Sequence, residues 1–178
     1  MSAQTVKPEV TSPRIYVACL AAYNNGILHG AWIDADQDAS MIWESIAEML
    51  AKSPIPGAEE HAIHGFEGFA GFSLSEYESI EDVAALAEAI QKYGPAFAAY
   101  AGNCGDIKDA LEHFEEAYCG EYDSEEDYAY ELVHECYREE DLGPLANYLD
   151  YEAYARDLFM DGYWSAQAPR GIYVFRNL

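Results

Sequence analysis

The spacing of apolar positions changes repeatedly along the chain, and each change predicts a different element. Arg14–Tyr23 (RIYVACLAAY) is almost unbroken apolar sequence rich in β-formers, which predicts a strand. Asn24-Asn25-Gly26 is a turn signal, and Ile27–Ile33 predicts a returning strand. Past an acidic loop, Asp34–Ala39, the period lengthens: Met41, Ile42, Ile46, Met49 and Leu50 recur at helical spacing. Asp38 is placed to cap that helix, and Ser53-Pro54-Ile55-Pro56-Gly57 stops it. Glu59–Phe69 (EEHAIHGFEGF) mixes alternation with glycines and predicts a third strand leading into a loop.

The middle of the chain keeps the helical period. Ser79 with Asp82 makes a capping box ahead of Ile80, Val83, Leu86, Ala87 and Ile90. Gly94-Pro95 ends that helix and opens a short one, Ala96–Ala101. Gly102-Asn103-Cys104-Gly105 breaks again, and Asp106 caps a helix through Tyr118. Gly120–Asp123 then predicts a strand or turn, Ser124 caps Glu125–Glu139, and Leu142-Gly143-Pro144 is a stop. Leu145–Met160 has a helical pattern with an interruption near Tyr148–Tyr151, and Gly162 ends it. Gly171–Leu178 (GIYVFRNL) predicts a final strand at a sheet edge. The pattern therefore reads as α+β in three small consecutive domains. A leader covers 1–13, an N-terminal α+β domain 14–71, a helical central domain 72–118, and a C-terminal α+β domain 119–178.

Charge changes the picture. The 178 residues carry 33 Asp and Glu against 9 Lys and Arg, a formal net charge of -24. An acidic disordered tail would be poor in apolar and aromatic residues, yet these make up 51% and 14% of this chain. The chain therefore folds and carries its charge outside. A small domain stays soluble with a net charge of roughly 2–8, so the excess needs another reason. A basic partner or a high-salt habitat would supply one. Direct nucleic-acid binding is disfavoured, because phosphates are met with Lys and Arg. At about one charge per 1.7 Å of duplex, such a charge along one side would match roughly 40 Å of DNA.

The charge is concentrated. Between Glu112 and Asp141 stand Glu115, Glu116, Glu121, Asp123, Glu125, Glu126, Asp127, Glu131, Glu135, Glu139 and Glu140, opposed only by Arg138. Asp127, Glu131, Glu135 and Glu139 form an i, i+4 column, and Asp109, Glu112 and Glu116 stack similarly on the preceding helix. Like charges at that spacing cost a helix roughly 0.2–0.5 kcal/mol per pair, and a sequence serving solubility alone would alternate Glu with Lys. Such columns suit a phosphate-like surface; an ordinary solvated face of an acidic protein is the other reading.

The segments KSPIPGAEEHAIHGFEGF (52–69), NCGDIKDALEHFEEAYCGEYDSEEDYAYELVHE (103–135) and NYLDYEAYARDLFMDGYW (147–164), with the opening PRIYVACLAAYNNGILHGAWID, resemble the antirestriction protein ArdA. The likeness runs from Ser12 to about Phe175, and the combination of AEEHAIHGFEGF with LDYEAYARDLF is specific. The resemblance implies a DNA mimic from mobile genetic elements. It implies inhibition of type I restriction–modification enzymes by binding their methyltransferase core and blocking its DNA groove. It further implies an elongated, curved homodimer joined through the C-terminal domains, with no catalysis and no cofactor. Carried over by position, the acidic residues of Asp109–Glu140 match the family's acidic central and C-terminal region. Glu59, Glu60 and Glu67 lie in its N-terminal motif. Tyr128 and Leu132 on the helix, and Ile172 and Val174 on the last strand, are the candidate dimer contacts. An acidic chaperone or regulator of basic nucleoid-type proteins is the alternative function, and a halophilic fold without mimicry is a second rival.

Other signals carry less. Asp34-Ala35-Asp36-Gln37-Asp38 opens like a calcium loop, but Ala39 and Ser45 stand where Gly and Glu are required. His61 and His64 near Glu59, Glu60 and Glu67 do not match a zinc motif, so no metal is expected. Adjacent carboxylates such as Glu115 and Glu116 point apart on a helix, against paired acid–base work. Cys119 and Cys136, with His113 and His134, read as core packing rather than a thiol nucleophile. The 15 tyrosines read as core-edge residues. No apolar run approaches ~18 residues and residues 1–13 lack an apolar signal core, which predicts a cytoplasmic protein with reduced cysteines.

Overall fold

In a computed structural model, residues 12–178 are described. The leader reading falls almost entirely on 1–11, outside the described residues. The chain divides into two compact units, residues 1–98 and 99–178, and the division falls inside a helix. Each contains one small antiparallel sheet, so the class is mixed α and β.

In the first unit, β1 (Arg14–Cys19) is central, between β2 (Gly30–Asp34) and β3 (His61–Glu67). Ile15, Val17 and Cys19 on β1 are fully buried, and Ile33, paired with Ile15, and Ile63, paired with Val17, extend that layer. Helix α2 (Ala39–Ala51) packs on β1 and β2 through Ile42, Ile46 and Met49. Helix α3 (Ile80–Tyr93) packs on α2 and buries Ile80, Val83, Leu86, Ala87 and Ile90. Ser79 Oγ accepts the Asp82 amide at 3.3 Å, as the sequence predicts. Asp38 sits at the start of α2 but makes no side-chain cap.

The predicted strand Arg14–Tyr23 is too long. It stops at Cys19, and Leu20–Asn24 is a one-turn helix, α1. Alanines favour the turn, and Asn25 closes it by donating from its side chain to the Ala21 carbonyl. An unbroken apolar run has no period to tell strand from helix, which is why the reading overshot.

In the second unit the sheet order is β4-β6-β5, with β4 (Tyr118–Tyr122), β5 (Tyr163–Gln167) and β6 (Ile172–Arg176). The final strand is therefore central, not an edge. Its two flanking strands use both sides of its backbone. Helix α4 (Pro95–Cys104) crosses the division and is longer than predicted; Gly105, at φ +75°, marks its end. Tyr100 of α4 and Phe114 of α5 (Ile107–Ala117) lie on one face of the sheet with Tyr118, Trp164 and Phe175. On the opposite face lie α6 (Glu125–Cys136) and α8 (Tyr151–Asp161), where Tyr128 meets Tyr122, Phe159 and Tyr163 edge-on or tilted. Between them come a short α7 (Glu139–Leu142) and a 3-10 segment, Gly143–Tyr148.

Because helices cover both faces, Tyr173, Val174 and Phe175 are all buried and the strand shows no polar alternation. Aromatic pairs dominate this core, each worth roughly 0.5–1.5 kcal/mol beyond its buried area. Tyr100, Tyr128 and Tyr173 are buried in it, while Tyr23, Tyr77, Tyr137 and Tyr148 are exposed, so the tyrosines do not share one role.

Candidate functional site

Two helices set the geometry of the acidic surface. Asp106 caps α5 by accepting the Lys108 and Asp109 amides at 2.8 and 3.0 Å. Ile107, Ala110, Phe114 and Ala117 turn inward, which leaves Asp109, Glu112, Glu115 and Glu116 exposed. Ser124 caps α6 through the Asp127 amide, and Asp127 in turn accepts the Ser124 hydroxyl at 2.5 Å. Burial of Tyr128, Ala129 and Val133 then turns Asp127, Glu131 and Glu135 outward in one column. Acidic residues in the first turn of α6 also complement its helix dipole.

The column is shorter than the sequence predicts. α6 ends at Cys136, Tyr137 is extended, and Glu139 begins α7, so the helical row stops at Glu135. Glu126, Glu140 and Asp141 are exposed, while Glu125 is half-buried and accepts a hydrogen bond from Ser165.

Since α5 and α6 lie on opposite faces of the sheet, the carboxylates of Asp109–Glu140 do not form a single row. They make two columns, and Glu121 on β4 and Asp123 just after it are exposed as well. Glu121, Tyr122, Asp123, Asp127 and Glu131 line a shallow cleft that also contains Arg170, from the β5–β6 turn.

The field of these groups registers on the tyrosines. Burial pushes the Tyr122 hydroxyl up from its ordinary pKa, and Glu131 and Glu135 push it further. Tyr118 and Tyr173 are raised by burial and then by Glu121. His113 is also raised, first by its hydrogen bond with the Asp109 backbone and then by Asp109, Glu112 and Glu116. A carboxylate-rich surface favours cations and disfavours further anions, and so adds to shifts that burial and the Asp109 backbone begin.

In the first unit, Glu59 and Glu60 are exposed ahead of β3. Glu67 is paired with Arg14, whose guanidinium also lies over the Trp32 ring at 4.9 Å. The two histidines of the same motif have ordinary partners. His61 meets Trp43 edge-on, and His64 lies 3.3 Å from Glu76 and edge-on to Tyr23. Among the described residues no three His, Cys, Asp or Glu side chains are placed to hold a metal ion.

The cysteine reading needs correction. Cys136 is exposed at the end of α6, and Cys119 is only half-buried on β4. Of the dimer candidates, Tyr128 is 5% exposed and Val174 not at all, while Leu132 and Ile172 are half-buried. The large apolar side chains this unit does expose lie elsewhere, among them Leu145, Tyr148, Tyr154 and Met160. The sequence reading also missed Ser165 and Arg170, because β5 is only five residues long. Its only sequence signal is the Tyr163-Trp164 pair directly after the helix-ending Gly162.

A family model for the antirestriction protein ArdA matches residues 15–171. The chain belongs to the ArdA antirestriction family. That is a family of inhibitors rather than enzymes, and membership implies type I restriction–modification enzymes as the class of target. No match was found among curated proteins. Among the described residues no helix is long and apolar enough to cross a membrane.

Proposed function

We propose that this ArdA-family chain is a DNA mimic. It occupies the DNA-binding groove of the methyltransferase core of a type I restriction–modification enzyme, and so protects incoming mobile DNA. The observation that carries the reading is the pair of exposed carboxylate columns, Asp109/Glu112/Glu116 and Asp127/Glu131/Glu135, on an antirestriction chain of net charge -24. Mechanistically this is competition. Long-range attraction speeds encounter, and ion pairs to enzyme Lys and Arg replace phosphate contacts. Phosphate-type contacts carry no sequence information, so one inhibitor serves against enzymes with different target sites.

The same reading includes a homodimer in the cytoplasm, built from three small domains per chain and joined through its C-terminal domains. Exposed Leu145, Tyr148, Tyr154 and Met160 support self-association better than buried Tyr128 and Val174 do.

Competition gel shifts test the function. A type I methyltransferase on labelled DNA should release it at stoichiometric protein, while unrelated DNA-binding proteins should keep theirs. Equal release from any basic protein would instead identify an acidic chaperone.

A further inference from the structure

We draw no further inference here: the strongest candidate, the acidic cleft that Glu121, Asp123, Asp127 and Glu131 form beside Arg170 at the β5–β6 turn, is a carboxylate cluster on the surface already assigned to the enzyme groove, and no independent observation points to a ligand of its own.

Discussion

Ser165 Oγ donates a 2.7 Å hydrogen bond to Glu125 Oε1, fastening strand β5 to the first turn of α6 across 40 residues of sequence. One carboxylate in the acidic stretch thus serves the scaffold, while its neighbour Glu126 is exposed. Glu125→Ala should destabilise the C-terminal unit by about 1 kcal/mol, the usual worth of such a bond. Glu126→Ala should stay within about 0.5 kcal/mol of the parent, as exposed substitutions do. Urea denaturation of both variants checks the contrast, and equal losses would remove Glu125 from the scaffold.

The column on α6 should act on binding rather than folding. Glu131→Gln with Glu135→Gln should weaken binding to the methyltransferase and flatten its dependence on salt, with melting temperature unchanged or raised. The Tyr122 hydroxyl should also titrate lower, since both carboxylates hold it up. Affinity at several salt concentrations gives the first result, and ultraviolet titration of the phenols gives the second. Unchanged affinity would mean that this column faces away from the enzyme.

Alkaline pH should unfold the C-terminal unit earlier than a protein with exposed tyrosines. Tyr100 is pushed up to about 12 by burial, then by Cys104, with Asp109 and Glu116 adding to the shift. The folded state therefore keeps a proton that the unfolded chain releases near pH 10. Its contribution is complete below about pH 10 and is lost as pH rises towards about 12. Denaturation at stepped alkaline pH should show that fall, and Tyr100→Phe should make it shallower.

Gly171 should tolerate no side chain. A Cβ there would lie 2.1 Å from the Tyr122 carbonyl oxygen, at a φ of +84°. Gly171→Ala should cost more than about 2 kcal/mol, because a backbone clash adds to the roughly 1–2 kcal/mol penalty of the left-handed region. Gly26 has a similar φ of +74° but nothing within 4 Å, so Gly26→Ala should show the conformational penalty alone. Similar melting temperatures for the two variants would mean that the β5–β6 turn moves freely away from Tyr122.

Two aspartates that read alike as caps should behave differently. Asp106 accepts two amide hydrogens, whereas Asp38 accepts none with its side chain. Asp106→Ala should cost about 1 kcal/mol. Asp38→Ala should cost less than about 0.5 kcal/mol, because no cap bond is lost. Chemical denaturation of the pair measures the difference.

Much local chemistry was readable, although the Asp38 cap and the one-turn helix Leu20–Asn24 were not. The Ser79, Asp106 and Ser124 caps, the stop after α2 and the outward columns of α5 and α6 all follow from spacing within one or two turns. The net charge and the family motifs were equally plain, because they require no contact between distant residues. Three features depended on partners far along the chain. β6 became central because β4 and β5 pair with both sides of its backbone, which no pattern within GIYVFRNL can announce. Glu125 became a scaffold contact because β5 carries Ser165 past it. The two acidic columns came to stand on opposite sides because α5 and α6 pack on opposite faces of that sheet. Sequence alone thus determined that this protein is acidic, how its helical carboxylates are spaced and which family it resembles. Tertiary structure decided where those carboxylates stand relative to one another, since strand order and helix side are set by non-local pairing and packing.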